Sequence, residues 1–317
     1  MQCPMTTVFS TTAAEPLGAH NPKQCVAVIG YGLIGGSIGL ALQATGLARQ
    51  IRVWDPQEAA RQVAAEQLGA GSVADSLQAA VAGADLVLIT VPTMAFAAVL
   101  QQVLAAAKPS ALVSDVASVK GAIMEVLDQL PPEQRARVVP AHPIAGSEQS
   151  GASHAKADLF WQRQVIVTPS AGTAAQHVLV IEHFWQALGA RVVTMTPQAH
   201  DEVFSAVSHL PHLIAFAYLG GLASASTGHD YTAMAGPGFH DFTRIAGANP
   251  ALWADICVAN QQALVRDLEG FKSQIDQLSK ALVQGDRSAL TAHFAAAKTM
   301  RSAYESCVHQ RMQAKPN

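Results

Sequence analysis

His142 is the residue best suited by type and position to act as a base, and it opens the segment His-Pro-Ile-Ala-Gly-Ser-Glu. It follows a predicted strand, Arg137–Ala141. A neutral imidazole near pH 7 is a natural base for a hydroxyl whose carbon loses a hydride, because that oxygen must give up its proton. Ser118 also follows a predicted strand, and its hydroxyl fits a catalytic role, a helix N-cap or both. A purely structural histidine is the alternative at position 142.

Two further clusters lie in the second half of the chain. In the segment Ser-His-Leu-Pro-His, the spacing puts Ser208 and His212 on one face of a helix. A later glycine-rich loop leads into a predicted helix that holds Asp241 and Arg244. Arginine is the side chain best suited to fork onto a carboxylate, and the apolar neighbours of Arg244 argue against an exposed ion pair with Asp241. The histidine pair lacks a third ligand nearby, so no metal is predicted.

A glycine turn, Gly-Tyr-Gly-Leu-Ile-Gly at residues 30–35, predicts a dinucleotide site. Gly30 makes a tight turn, Gly32 leaves room for a pyrophosphate, and Gly35 lets the following helix pack closely on the strand. Leu33 and Ile34, within the turn, are expected to contact the cofactor, and the amide groups and dipole of the helix that follows favour phosphate charge. The turn follows one predicted strand and precedes a helix, as this motif requires.

Asp55 decides which dinucleotide is expected. It ends the second predicted strand, about twenty residues after the turn, where a carboxylate accepts hydrogen bonds from the ribose hydroxyls. The same charge repels a 2′-phosphate, so NAD is favoured over NADP. Val91 and Pro92 end the third strand at the same edge and are expected to line the cofactor.

An alternation of short apolar runs and helical segments must position these residues. It predicts an α/β fold with a doubly wound parallel sheet, a Rossmann domain, in which the fifth and sixth strands extend the sheet. The strands are predicted at Val26–Gly30, Ile51–Asp55, Leu86–Val91, Ala111–Asp115, Arg137–Ala141, Gln164–Thr168 and Arg191–Met195, and the helices at Gly35–Thr45, Gln57–Leu68, Met94–Ala107 and His177–Leu188.

The character of the chain changes after Met195, where strand-like runs end. Long helices are predicted at Pro197–Ser224, Leu252–Val283 and Ser288–His309. We therefore predict a flexible tail at residues 1–23, an NAD-binding domain at 24–195, and an all-helical substrate and dimerisation domain at 196–317. The apolar run near Leu210 is expected to be a buried interface helix, since proline, histidine and glycines interrupt it.

The composition narrows the class of protein. Half of the residues are hydrophobic and 14% are charged, which is typical of a large core and of apolar surface covered by a second subunit. A net charge of −3 offers no basic field for nucleic acid. Four cysteines without metal or disulfide spacing, and a start without signal-peptide character, favour the cytoplasm.

Five motifs, in this order, resemble the prephenate/arogenate dehydrogenase family of tyrosine biosynthesis. The resemblance covers the chain from Val26 to about residue 310. The motifs are GYGLIGGS at residues 30–37, DVASVK at 115–120, HPIAGSE at 142–148, SHLPH at 208–212 and DFTRIA at 241–246. The resemblance implies NAD-dependent oxidative decarboxylation of prephenate, with arogenate, or both substrates, as the alternatives. The long apolar helices of the second domain predict a homodimer formed through that domain, and the resemblance leaves direct competition by tyrosine in the active site open.

The resemblance also assigns roles to residues. His142 matches the histidine that takes the proton of the ring hydroxyl, and Ser118 matches the serine that bridges this hydroxyl, the histidine and the nicotinamide. Arg244 matches the arginine that binds a substrate carboxylate. The remaining substrate-binding positions implied are His212, Glu148, Ser147, Ser208 and Asp241, with Trp253 as an aromatic neighbour.

The sequence departs from the family pattern at one position, and two other classes of protein compete with this interpretation. His240 stands where family members often carry arginine, which leaves the preference between prephenate and arogenate open. A β-hydroxyacid-type dehydrogenase would be expected to use a lysine in the helical domain, and no lysine occurs from Arg191 to Arg266. A non-catalytic NAD sensor would need the glycine turn and Asp55, but not His142, Ser118 and Arg244 together.

Overall fold

The computed structural model describes residues 24–146, 149, 151–225 and 231–313, so the predicted tail at 1–23 lies outside the described residues. Its strands are short and begin or end within a few residues of the predicted ones. They are β1 Cys25–Ile29, β2 Gln50–Trp54, β3 Leu86–Ile89, β4 Leu112–Asp115, β5 Ala141–Pro143, β6 Gln164–Val167 and β7 Arg191–Thr194.

The first four strands form one parallel sheet in the order β2-β1-β3-β4. Every residue of β1, β3 and β4 is buried, which explains why β1 and β3 are continuous apolar runs rather than alternating ones, whereas β4 ends in the buried polar residues Ser114 and Asp115. The chain leaves β1 toward β2 on one side and returns to β3 on the other. This switch point opens a crevice at the carboxyl ends of β1 and β3, where α/β sheets bind ligands.

The fifth and sixth strands do not extend that sheet as predicted. β5, β6 and β7 form a second, three-stranded sheet in which β5 is antiparallel to β6. Val138, in the segment that leads into β5, makes one isolated parallel bridge to Val113 of β4. The predicted strand Arg137–Ala141 is also displaced, because Pro140 lacks the N–H that a ladder needs. The strand begins only at Ala141, so His142 lies inside it and not after it.

Helices cover the sheets on both faces, as the doubly wound prediction requires. Two apolar clusters result, one around Ile38, Leu42 and Trp185, the other around Phe96 and Leu100. Three of the helices have at most seven residues and were not predicted, namely Leu77–Val81, Gly121–Leu127 and Pro132–Arg135. The helices are α1 Leu33–Thr45, α2 Glu58–Leu68, α3 Leu77–Val81, α4 Phe96–Ala106, α5 Gly121–Leu127, α6 Pro132–Arg135 and α7 Ala175–Ala187.

After β7 the described chain holds helices and turns and no further strand, as predicted. The predicted helix Leu252–Val283 is two helices, because Asn260 turns its side chain into the protein at the break. The helices are α8 Pro197–Phe204, a π-helical turn Ser205–His209, α9 Leu210–Ser224, α10 Pro237–Thr243, α11 Pro250–Ala259, α12 Gln261–Val283 and α13 Arg287–Gln313.

Of the described helices, the run from Pro197 to Ser224 is long and apolar enough to cross a membrane, with 22% of its most apolar window buried. Its first part carries His200 and Asp201, both buried against the first half of the chain. Its second part, α9, buries only Ala215 within the single chain, so the prediction of a buried interface helix depends on a partner.

The described structure divides into two compact units. The first extends to Leu264 and contains both sheets and the helices through α11. The second begins at Val265 and contains most of α12 and all of α13, joined by a turn at Gly285. The predicted functional boundary near residue 195 lies inside the first unit and stays a prediction.

Candidate active site

The glycine turn has the geometry that a pyrophosphate needs. Gly30 has a φ of +96°, and a Cβ there would meet the Thr90 carbonyl oxygen at 2.8 Å. A Cβ on Gly35 would lie 2.1 Å from the Gly30 oxygen, so the helix packs against the turn through a bare backbone. Gly32, at the start of α1, has no atom within 4 Å of where its Cβ would stand. The open space beside the helix N-terminus therefore fits the phosphates of a dinucleotide.

Asp55 lies directly after β2 and is hydrogen-bonded to the turn. Its Oδ2 accepts from the Tyr31 amide at 2.6 Å, and its Oδ1 accepts from the Gln57 amide at 2.8 Å. Each oxygen keeps a lone pair for a ribose hydroxyl. Arg61, which sequence reasoning did not single out, donates to the Asp55 and Pro56 carbonyl oxygens at 2.7 and 3.1 Å, so a guanidinium is held at the backbone of this residue.

The end of β3 faces the same turn. The strand stops at Ile89, two residues earlier than predicted, and Val91 and Pro92 form the loop that follows. The Val91 side chain comes within 3.1 Å of the position of a Gly30 Cβ, so this residue packs on the turn. Pro92 is exposed. Both positions remain predicted cofactor contacts.

His142 is buried and hydrogen-bonded through one ring nitrogen. Its Nδ1 lies 2.8 Å from Nε2 of His200, whose own Nδ1 lies 2.7 Å from the Asp201 carboxylate. Phe204 packs edge-on against His142 with ring centroids 5.1 Å apart. Burial, the neighbouring histidines His200 and His209, and the Lys120 ammonium hold the pKa of His142 well below its usual value. The imidazole is therefore neutral at pH 7, as a base must be.

Ser118 does not act as a helix N-cap. It is half-buried in the loop between β4 and α5, and α5 begins three residues later at Gly121 without a cap from its own loop. The Asp201 carboxylate replaces that cap by accepting from the Lys120 amide at 2.8 Å and the Gly121 amide at 2.6 Å. The serine hydroxyl is thus not consumed by the helix, and its catalytic role stays a prediction.

A buried ion pair holds the Ser118 loop against β5. The Lys120 ammonium, fully buried, donates to Asp115 Oδ2 at 2.7 Å and to the carbonyl oxygen of Ala141 at 2.5 Å. Ala141 precedes His142, so this lysine joins the end of β4 to the strand that carries the predicted base. Lys120 is the last residue of the DVASVK motif, and nothing in the spacing of that motif predicts this contact.

The π-helical turn before α9 turns a second histidine inward. His209 is buried, and its Nδ1 accepts from the Asn260 amide group at 3.0 Å. Asn260 also donates to the backbone oxygen of Asp201 at 2.8 Å. Burial lowers the pKa of His209 to about 4. A π-turn inserts one residue into a helix, often at functional sites, and here it sets the orientation of the residues that follow.

His212 is half-buried one turn further on. Its Nδ1 donates to the Ser208 carbonyl oxygen at 2.9 Å, and its ring stacks on Trp253 with centroids 3.5 Å apart. Burial and the nearby Arg244 guanidinium lower the pKa of His212. The neutral ring therefore keeps Nε2 as an acceptor. Ser208 is linked to His212 through its backbone rather than through its hydroxyl.

Arg244 and Asp241 are exposed in the single chain, contrary to the expectation from the apolar neighbours of Arg244. They also do not share one helix: α10 ends at Thr243, and Arg244 opens a 3-10 turn that contacts α9. The charge of Arg244 nevertheless acts on His212, so the two predicted pocket residues are neighbours. Two other predicted pocket residues, Ser147 and Glu148, lie outside the described residues.

Sequence reasoning missed the residues that stand behind the predicted base. They are His200, Asp201 and Asn260, each buried and polar. A signal existed, because an adjacent His-Asp pair near the start of an otherwise apolar helix is costly to bury unless its members are hydrogen-bonded.

Family models match both halves of the chain. Residues 38–194 match the nucleotide-binding domain of prephenate dehydrogenase, and residues 196–296 match its dimerization domain. A cyclohexadienyl dehydrogenase of Zymomonas mobilis is 35% identical over 285 residues, which cover 89% of this chain and 96% of that protein. A prephenate dehydrogenase of Bacillus subtilis is 32% identical over 282 residues, covering 88% and 76% of the two chains.

Solved structures agree with these relatives. The structure of a prephenate dehydrogenase from Aquifex aeolicus, in complex with hydroxyphenyl propionate and NAD+, matches with a TM-score of 0.81 and 28% identity, covering 89% of this chain and 98% of that one. An arogenate dehydrogenase from Synechocystis matches with a TM-score of 0.74 and 26% identity, covering 88% and 99%. By sequence along most of its length and by fold, the chain belongs to the prephenate dehydrogenase family.

Proposed function

We propose that this protein is an NAD-dependent dehydrogenase that converts prephenate to 4-hydroxyphenylpyruvate by oxidative decarboxylation. The observation that carries the proposal is a buried, neutral histidine, His142, in the same compact unit as a glycine turn shaped for a dinucleotide. The alternative is an enzyme that uses arogenate or both substrates, since the relatives named above include a cyclohexadienyl dehydrogenase and an arogenate dehydrogenase.

The residues act on the ring hydroxyl and on the carboxylates. His142 Nε2 accepts the hydroxyl proton as the ring is oxidised, and Ser118 is proposed to hold that hydroxyl in place. NAD, held by Gly30, Gly32 and Gly35 and by Asp55, supplies the hydride acceptor. Loss of the ring carboxylate as CO2 makes the ring aromatic, which drives the reaction forward.

The substrate carries carboxylates that must be matched by positive charge or hydrogen-bond donors. We propose Arg244 for one carboxylate, because a guanidinium forks onto this group and stands beside the neutral His212. Ser208, Asp241, Glu148 and Ser147 complete the proposed pocket. Tyrosine, which shares the phenolic ring and the side-chain carboxylate with the product, is proposed to compete directly for this pocket.

The test of the function is NADH formation with purified protein, prephenate and arogenate being supplied side by side. We expect turnover of prephenate. The ratio of kcat/KM for the two substrates, compared with the same ratio in His240→Arg, will measure the effect of His240, which is exposed on α10 in place of the family arginine. Turnover of arogenate alone would replace prephenate as the substrate. Absence of turnover with both would contradict the proposal and favour a sensor.

The Asp55 carboxylate is expected to set the preference for NAD. Asp55→Asn keeps the size of the side chain but removes the charge that repels a 2′-phosphate, while the Arg61 guanidinium remains beside the site. We expect the kcat/KM ratio of NADP to NAD to rise at least about tenfold, which corresponds to roughly 1.4 kcal/mol. Asp55→Asn combined with Arg61→Ala should lose most of that gain. An unchanged ratio in the single variant would contradict the ribose role.

Arg244→Gln is expected to weaken substrate binding. Loss of a charged hydrogen bond costs about 1.5–3 kcal/mol, so kcat/KM should fall roughly 10- to 100-fold, mainly through KM. Arg163→Gln, an exposed arginine before β6, is the matched control and should behave like the natural protein. If the KM for prephenate of Arg244→Gln stays within twofold of that control, the carboxylate lies elsewhere.

We propose a homodimer formed through the helical half of the chain, in line with the dimerization domain matched there. Large apolar side chains stand exposed on the single chain, among them Val207, Tyr218, Val258, Phe294 and Met300. A second copy covering them would explain an apolar surface that water would otherwise meet. A cytoplasmic location is our expectation, and the free thiols of Cys25, Cys257 and Cys307 fit a reducing compartment.

A further inference from the structure

The predicted base is the first member of a chain of three hydrogen-bonded side chains. His142 lies on β5, whereas His200 and Asp201 lie on α8. The two histidines are 58 residues apart in the sequence. His142 and His200 are held at 2.8 Å, and His200 and Asp201 at 2.7 Å. The Phe204 ring lies against both imidazoles, with centroids 5.1 and 4.5 Å away, and restricts their rotation.

The far end of this chain is fixed by backbone amides. Asp201 Oδ1 accepts from the Lys120 amide and Oδ2 from the Gly121 amide, while Asn260 donates to the Asp201 backbone oxygen. Burial raises the pKa of Asp201, but the hydrogen bonds from His200 and from the Lys120 and Gly121 amides outweigh it and hold this pKa below its usual value. The carboxylate is ionised at pH 7 and can only accept hydrogen bonds.

The direction of every hydrogen bond follows from that acceptor. His200 must donate from Nδ1 to Asp201, so a neutral His200 has its lone pair on Nε2. His142 must then donate from Nδ1 to His200 Nε2. A neutral His142 is left with its lone pair on Nε2, which is the nitrogen not engaged by His200. The reverse tautomer would place a proton there and could not accept another.

We propose that His200 and Asp201 are positioning residues that hold His142 in the tautomer with a basic Nε2 and stabilise the imidazolium that forms when it takes the substrate proton. This inference rests on the proposed function, since it presumes that His142 is the base. The logic is that of a catalytic triad, in which a buried carboxylate orients a histidine without accepting its proton. Here a second histidine stands between the carboxylate and the base.

The charges around His142 and His200 decide how the proposal is tested. Burial, His200, Lys120 from the loop before α5 and His209 from the π-turn lower the pKa of His142. Burial also holds the pKa of His200 below its usual value, and the Asp201 and Asp115 carboxylates act against that lowering. β6 contributes Ile166 opposite His142, which carries no charge. Removing the Asp201 carboxylate therefore makes the pair harder to protonate. In a plot of kcat/KM against pH, the acid limb, where activity falls because the base becomes protonated, should therefore move to lower pH.

Two substitutions at His200 distinguish a role in orienting His142 from a purely structural role of His200. His200→Phe removes the acceptor for the His142 Nδ1 proton and leaves the Asp201 contacts to α5 in place. We expect kcat with prephenate to fall on the order of 100-fold or more. His200→Gln offers a side-chain oxygen that can accept the same proton, so it should recover at least about tenfold of that loss. His183→Gln on α7, outside this chain of hydrogen bonds, is the matched control.

Asp201→Ala adds the pH readout. With kcat/KM measured from pH 5 to 9, its acid limb should lie at lower pH than that of the natural protein, and kcat should be reduced. Thermal unfolding of each variant shows whether it is folded. Loss of kcat with an unmoved acid limb, or equal activity of the phenylalanine and glutamine variants at position 200, would overturn the positioning role. Failure of the unmodified protein to oxidise either substrate would instead overturn the proposed function.

Discussion

Replacing His142 with asparagine is expected to lower kcat with prephenate by roughly two to four orders of magnitude, the usual contribution of a general base. The imidazole is buried, its Nδ1 is engaged by His200, and its low pKa keeps it neutral at pH 7. Asparagine can still donate to His200 but has no basic nitrogen, so the site keeps its packing and loses the proton acceptor.

The measurement is steady-state NADH formation at saturating prephenate and NAD. Because the proton is removed in the oxidation step and not in cofactor binding, the Kd for NAD from fluorescence titration should remain within a few-fold of that of the natural protein. His183→Asn on α7 controls for the loss of a histidine elsewhere in the chain. A kcat for His142→Asn within tenfold of this control would mean that another group takes the proton.

The parts that local sequence patterns determine were predicted well. The strand, glycine turn and helix at residues 25–45 are set by neighbours in the chain, and the contacts of Gly30 and Gly35 show why a side chain is excluded there. Asp55 was placed by its distance from that turn, and its hydrogen bond to the Tyr31 amide agrees with this placement. Short-range periodicity likewise located α1, α2 and α4 within a few residues.

The parts that depend on distant partners were missed. The cap of α5 comes from Asp201, 80 residues along the chain from Gly121, whereas the local sequence pattern left the cap as one of two roles for Ser118. The break after α11 depends on Asn260, whose buried amide group serves His209 and the backbone of Asp201. No pattern in the sequence near Asn260 carries that information, because its partners lie on another helix.

The same long-range contacts explain why the loop at residues 115–120 stays in place without regular structure. It is held by Asp201 at one point and by the pairing of Lys120 with Asp115 at another. Since the loop carries Ser118 and adjoins the strand of His142, we expect its stability to be a condition for the proposed activity. The contribution of these contacts to the free energy of unfolding can be measured separately from catalysis.

Lys120→Met is expected to lower the free energy of unfolding by about 3–5 kcal/mol, because it leaves the Asp115 carboxylate buried without a counter-charge. Both side chains are at most 1% exposed. Urea unfolding at a fixed protein concentration measures the change. Lys108→Met is the matched control: that lysine pairs with Asp85 at the surface, where about a third of each side chain is exposed, and the expected loss is at most about 1 kcal/mol.

The double variant Lys120→Met, Asp115→Asn tests the cause of that loss. Asp115 Oδ2 accepts a hydrogen bond from the Ala117 amide at 2.7 Å. Asparagine keeps an oxygen that can accept this hydrogen bond, but it carries no charge. If the unpaired Asp115 charge is what destabilises Lys120→Met, the double variant should regain most of the lost free energy of unfolding. This recovery is expected even though the double variant lacks both the Lys120 ammonium and the Asp115 carboxylate. A double variant as unstable as the single one would instead assign the loss to the hydrogen bond between Lys120 and the Ala141 carbonyl oxygen. In that case Lys120 would stabilise the protein mainly through its hydrogen bond to the backbone of the strand that carries His142. The ion pair between Lys120 and Asp115 would then contribute less.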